Sequence, residues 1–302
     1  MTAVTTPIAP TTDEGNSMTT TTFQPTSPSA RASTVTTTTS HRQTLARAIR
    51  AEWVKIRTLR STWIGMASVI LVLVGLGAVS AALSTGSVTE PGDGGGFGGS
   101  DPLSTVLAGA DIAVLLVGVL GALAGAREYG SRMIAATVAA VPRRWQVVVS
   151  KATVLSGVVF TTALIGVFAA FGVGMSILAA GDSATAALTD DGVLSSVLGM
   201  AGYITAIAVL GLGLGILLRS VASSIGILVG GIMILPPLAG ALLPSSFDPI
   251  LQYLPSSAAS SFTTVMGSGN DVLTAGTGAL VLLAWVVAAL ASATVAITRR
   301  DV

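Results

Sequence analysis

The stretch REYGSRMIAATVAAVPRRWQVVVSK, Arg127 to Lys151, decides how the chain reads. Long uncharged apolar runs lie on both sides of it. Inside it stand Arg127, Glu128, Arg132, Arg143, Arg144 and Lys151. Charges at that density are not tolerated in lipid-facing hydrocarbon, so the stretch must be a loop in water or in the interface. Its five basic residues mark that loop as cytoplasmic. The flanking runs are then membrane spans.

Composition agrees. The chain has 302 residues, of which 51% are hydrophobic and 10% charged. A soluble domain carries roughly 25% charged residues, so there is too little charge here to coat a soluble surface. The mean hydropathy is +0.82. The net charge of +1 does not call for nucleic acid, because the charges are sorted by position. Cysteine is absent and the one histidine, His41, lies in a polar tail. Disulfides, thiol chemistry and a His-built metal cluster are therefore excluded. The expected fold class is an all-α membrane protein.

Residues 1–40 are rich in Thr, Ser and Pro and cannot bury enough surface to offset chain entropy, so a disordered cytoplasmic tail is expected. Residues 41–62 carry a basic amphipathic helix pattern. Leu45, Ile49, Ile56, Leu59 and Trp63 share one stripe with Trp53 at its edge, and Arg47, Arg50, Lys55 and Arg57 lie opposite. Such a helix belongs in the membrane interface plane. Glu52 falls on the apolar stripe. It either pairs with an Arg from another segment or reaches headgroups or water.

Residues 63–302 hold the spans, each needing about 20 apolar residues. The runs are Trp63 to Leu83, Leu103 to Ala126, Ala152 to Ala180, Val193 to Leu218, Ser220 to Leu243 and Leu273 to Ile297. The fourth and fifth are joined by almost nothing and should form a tight hairpin. With six crossings, all 15 Lys and Arg fall on one side. The other side holds Glu90, Asp93, Asp101, Asp182, Asp190, Asp191, Asp248 and Asp271. The positive-inside rule places both termini in the cytoplasm, and the expected location is the plasma membrane.

Residues 94–99 happen to fit G-x-G-x-x-G, but in a Gly-rich outer loop without a strand before or a helix after, so a flexible loop is expected there. The third outer loop, 244–272, suits short interfacial helices over Ile250 to Leu254 and Ala258 to Met266. No P-loop exists: neither Lys55 nor Lys151 follows a glycine-rich turn. Any ATP hydrolysis must come from a partner chain, and no cofactor is expected in this one.

Asp111 is the one acid within a span; burial near the bilayer centre would cost about 2.5–3.5 kcal/mol on insertion scales. It either lines a wet pathway or snorkels from a span that starts nearer Ile112. Three glycine pairs have small-xxx-small spacing: Gly121 and Gly125, Gly211 and Gly215, Gly226 and Gly230. They should pack helices within the bundle. Pro236 and Pro237 should kink the fifth span, shaping a gate or merely bending it. Within the 127–151 loop, Gly130 should break the second span's helix, Ser131 should cap a short helix running to Ala140, and Pro142 should begin another.

Four segments in order resemble actinobacterial ABC transporter permeases of the type 2 exporter class. They are EWVKIRTLRSTW (Glu52 to Trp63), EYGSRMIAATVAAVPRR (Glu128 to Arg144), YLPSSA (Tyr253 to Ala258) and the terminal RRD (Arg299 to Asp301). The resemblance covers about residues 42 to 302. It implies an elbow helix that includes Glu52, Trp53, Lys55, Arg57 and Arg60. It implies a coupling helix, begun by Glu128, Gly130, Ser131, Arg132 and Met133, that docks into a separate ATPase subunit. Ser131 stands where the family commonly has Thr. The resemblance also implies dimeric permeases and alternating access, with ATP bound by the partner and no nucleic acid. Asp111, Pro236 and Pro237 are candidate pathway residues. Rival readings are an ion-coupled carrier, which would want midplane charges and an inverted repeat, a membrane enzyme, for which no catalytic set is visible, and a non-transporting scaffold.

Overall fold

Where the chain leaves hydrocarbon, its helices end, and each end has a local cause. The structure, a computed structural model, describes residues 44–86, 101–130, 145–264 and 273–299, with side chains for all of these except 128–130 and 245. All belong to the unit Arg42–Val302, which separates from Met1–His41. The expectations for the 1–40 tail and the 94–99 motif lie outside the described residues.

The first helix, α1 (Leu45–Thr58), is the amphipathic segment expected. It stops because Leu59 is extended, and α2 (Arg60–Ser84) starts directly after it. The break is stapled: Trp63 Nε1 donates to the Arg57 carbonyl at 3.1 Å, satisfying an end-of-helix acceptor. The first span therefore begins at Arg60, three residues earlier than its hydropathy suggested.

The second crossing is not one helix from Leu103. A single turn and a half, α3 (Pro102–Val106), is capped by Asp101, whose carboxylate accepts from Ser104 N at 3.1 Å. The chain then breaks, and α4 (Ala110–Gly130) carries the span. The break follows from packing. Gly109 lies so close to α2 that a Cβ on it would come within 2.5 Å of the Val72 carbonyl oxygen.

α5 (Trp145–Ala180) has 36 residues, about 54 Å at 1.5 Å per residue. That exceeds the ~30 Å hydrocarbon core. It starts two turns before Ala152, so Lys151 lies on a helix and not in a loop. α6 (Val193–Leu218) has the expected bounds. It closes on Arg219, in the left-handed region at φ +54, and Ser220 caps the next helix at once. This is the tight hairpin.

The fifth crossing, α7 (Val221–Leu242), contains a π turn at Gly230–Ile234 immediately before Pro236 and Pro237. Two missing N–H groups leave carbonyls one turn back without donors, and the wider turn also relieves the ring clash. Two short helices follow, α8 (Asp248–Leu251) and α9 (Pro255–Thr263). They begin earlier than the sequence pattern suggested because Pro249 and Pro255 occupy first-turn positions, where no N–H is required. Finally α10 (Ala275–Arg299) makes the sixth crossing.

Six helices are thus long and apolar enough to cross a membrane, and the described residues contain no strand. This is an all-α, multi-pass membrane protein. Close approaches fix the helix directions. Leu73 packs over Gly166 and Thr85 over Gly181, so α2 and α5 run parallel. Gly65 meets Leu120 while Leu73 meets Gly109, so α4 runs against α2. Gly118 meets Gly211 and Ala122 meets Gly215, so α6 runs with α4. α6 is the centre of the core: Ile204, Ile207 and Leu212 are fully buried. The outer-loop helices dock back on it and on α10. Ser196 Oγ donates to Thr264 O at 3.0 Å, and Trp285 Nε1 donates to Tyr253 O at 2.9 Å.

Candidate functional site at the basic end of the bundle

These directions sort the charges onto two ends. Asp101, Asp182, Asp190, Asp191 and Asp248 lie where α2 and α5 end and α4 and α6 begin. Arg60, Arg127, Lys151, Arg219 and Arg299 lie at the other end, which also receives α1. The segment joining α4 to α5 leaves and re-enters at this basic end.

The basic end is built around Glu52. Amphipathic periodicity places it on the inward stripe of α1, and it is buried there, 9% exposed. An isolated carboxylate could not stay charged at that site. It is matched by Lys151 from α5, whose Nζ lies 3.1 Å from Glu52 Oε2. Lys55, one turn along α1, reaches Oε1 at 3.2 Å. Lys151 is itself buried, 8% exposed, while Lys55 is half-buried. The ion pair anticipated for Glu52 exists, but its partner is a lysine and not an arginine. The two residues are 99 positions apart.

Beside this pair lies a cleft of about 640 Å³ between α1, the start of α2, and α4 and α5. Glu52, Lys55, Arg127 and Lys151 supply its charged groups. Leu59, Met66, Leu120, Leu123 and Leu155 supply apolar wall. The α2–α4 side of that wall closes tightly: Gly65 abuts Leu120, and a Cβ there would come within 2.9 Å of the leucine's Cδ2.

The other elbow residues behave as an interfacial helix requires. Trp53 is 49% exposed, and Arg57 and Arg60 are exposed. Glu128 and Gly130 close α4, and their side chains lie outside the described residues. Ser131, Arg132 and Met133 lie outside them too, as does the helix expected to run to Ala140. Asp111 is elsewhere altogether. It is exposed in the first turn of α4, towards the acidic end, because the helix starts at Ala110. That agrees with a late-starting span and sets Asp111 well away from Glu52 and Lys151. Pro236 is half-buried and Pro237 exposed on α7.

The glycine pairs divide. A Cβ on Gly121 would overlap the Ala208 carbonyl oxygen, and one on Gly125 would overlap that of Leu212. Gly211 and Gly215 answer from α6 against Gly118 and Ala122. These four seal α4 to α6. Gly226 and Gly230 have nothing near them. Lys151 is the functional residue that the sequence pattern missed; its signal would have been the continuous helix period running back through Val147 and Val148, both buried. Among the described residues no group of three or more His, Asp or Glu gathers to hold a metal. No family model and no curated protein matches the chain.

Proposed function

We propose that this chain is the membrane subunit of an ATP-driven exporter, lying in the plasma membrane with its basic end in the cytoplasm. A separate ATPase subunit, itself binding the ATP, engages the segment Glu128 to Ala140. A second copy of the permease completes the pathway, and the substrate is apolar or amphipathic. The observation that carries this reading is the Glu52–Lys151 pair. It ties the interfacial helix α1 to α5, the helix into which the 131–144 segment leads. Force applied to that segment at the water boundary would reach α1 and the first span together with α5. The extra turns of α5 before Ala152 give such a lever length outside the hydrocarbon.

The sidedness rests on the separation of basic from acidic helix ends, read by the positive-inside rule. The division of labour rests on the missing P-loop and on the four resembling segments. The experiment is co-expression with the ATPase encoded beside it and pull-down through an affinity tag. Scrambling Glu128 to Ala140 should abolish recovery of the ATPase while leaving the permease in the membrane. Undiminished recovery would overturn the reading.

A further inference from the structure

The cleft between α1 and the bundle has a chemistry that the export reading does not use. Its wall is apolar through Leu59, Met66, Leu120, Leu123 and Leu155, and its mouth is charged. In a bilayer a space of about 640 Å³ open to the hydrocarbon does not stay empty. Water is disfavoured against such a wall, since it would find few polar partners there. An acyl chain meets no such penalty.

The mouth selects the headgroup. Among the described lining residues one carboxylate, Glu52, faces three cations, Lys55, Arg127 and Lys151. Glu52 already serves the two lysines, so the mouth keeps an excess of positive charge. Lys55 and Arg127 are not sealed in: Lys55 is half-buried and Arg127 exposed. Arg127 lies seven residues, about 10 Å of helix, from Leu120 along α4. Cationic groups at headgroup level above an apolar trough are the arrangement that recognises an anionic lipid.

We propose that this cleft is a binding site for one anionic phospholipid, its phosphate held between Lys55 and Arg127 and an acyl chain laid against Met66, Leu120, Leu123 and Leu155. The lipid bridges α1 to α4 where the Glu52–Lys151 pair bridges α1 to α5. The site follows from the fold and its charges and stands whether or not the chain exports anything.

The test uses the full chain in detergent, titrated with phosphatidylglycerol, phosphatidylcholine or inorganic phosphate and followed by native mass spectrometry. One phosphatidylglycerol per chain should bind in preference to phosphatidylcholine. Lys55→Ala with Arg127→Ala should weaken phosphatidylglycerol about 30-fold, at roughly fivefold for each basic group near a membrane surface, and leave phosphatidylcholine unchanged. Arg127→Lys should keep most of the preference. Ala124→Trp, which fills the apolar wall, should remove both lipids, and it carries the test alone if the double variant does not fold. Equal binding of the two lipids, wild-type affinity in the double variant, or full competition by inorganic phosphate would each overturn the proposal.

Discussion

Lys151 Nζ lies 3.1 Å from Glu52 Oε2, and both side chains are nearly sealed from solvent. One comes from the interfacial helix and the other from the long third span, so the contact decides whether α1 is part of the bundle or only beside it. Removing one partner of a buried pair costs about 3–5 kcal/mol, because the other charge is left without compensation. Glu52→Gln should therefore destabilise the protein by about 3 kcal/mol, read from its unfolding midpoint in mild detergent. Lys55→Ala should cost under about 0.5 kcal/mol, since that i,i+3 pair is exposed on the lysine side. Glu52→Gln with Lys151→Met should recover part of the loss, and strict additivity of the two changes would show that the pair is not coupled.

The α4–α6 seam is set by absent side chains. A methyl on Gly121 would overlap the Ala208 carbonyl oxygen, whereas one on Gly226 would meet nothing within 4 Å. Backbone atoms cannot step aside as a rotamer can, so Gly121→Ala must pry the two spans apart. Overpacking of that kind costs about 1–3 kcal/mol. Gly226→Ala should be neutral or slightly stabilising, because alanine is the better helix former by about 1 kcal/mol. Two thermal melts of the purified variants separate these outcomes. Equal effects at the two positions would contradict the helix register described above.

How much of this was legible beforehand depends on what ended each helix. α6 was readable to the residue because its ends are local: Gly192 and Arg219 hold left-handed backbone and the span between carries no charge. The break before α4 was not, because Leu107 to Ala110 is apolar and the chain turns there only to let Gly109 meet α2. α5 read short because Gln146, Ser150 and Lys151 look like loop residues until α1 is laid over them and buries all three. The partner of Glu52 could not be named from periodicity, which says only that an acid faces inward. The choice between lysine and arginine was made 99 positions away. The segment most closely tied to the proposed coupling, 131–144, is the one on which the fold bears least.

Sidedness can be tested directly because the chain has no cysteine. Single cysteines can be placed at Ser183, beside the acidic end of α5, and at Arg57, on the exposed face of α1. A membrane-impermeant maleimide added to intact cells should label Ser183→Cys and spare Arg57→Cys. After permeabilisation both should react. The reverse pattern would invert the proposed orientation and remove the 127–151 segment from the cytoplasm, and with it the docking surface for an ATPase.

The π turn at Gly230–Ile234 is where α7 stores one residue's worth of rotation. Leu235 N reaches the Gly230 carbonyl, five residues back, and the two prolines that follow cannot restore the usual four-residue ladder. Replacing both, Pro236→Ala with Pro237→Ala, returns the missing donors to the carbonyls of Ile232 and Met233. The segment should then close as continuous α-helix, turning everything beyond it by about 100°. Ala239 is buried and Leu242 is 72% exposed, so the turn would carry Ala239 out of its contact. A cysteine at Ala239 should react slowly with a lipid-soluble maleimide in the parent chain and several-fold faster in the double proline variant. If α7 forms part of a moving pathway, the same variant should lose transport while keeping its unfolding midpoint. Unchanged reactivity at 239 would mean that the bulge is held by packing against α4 and α9 and not by the proline pair.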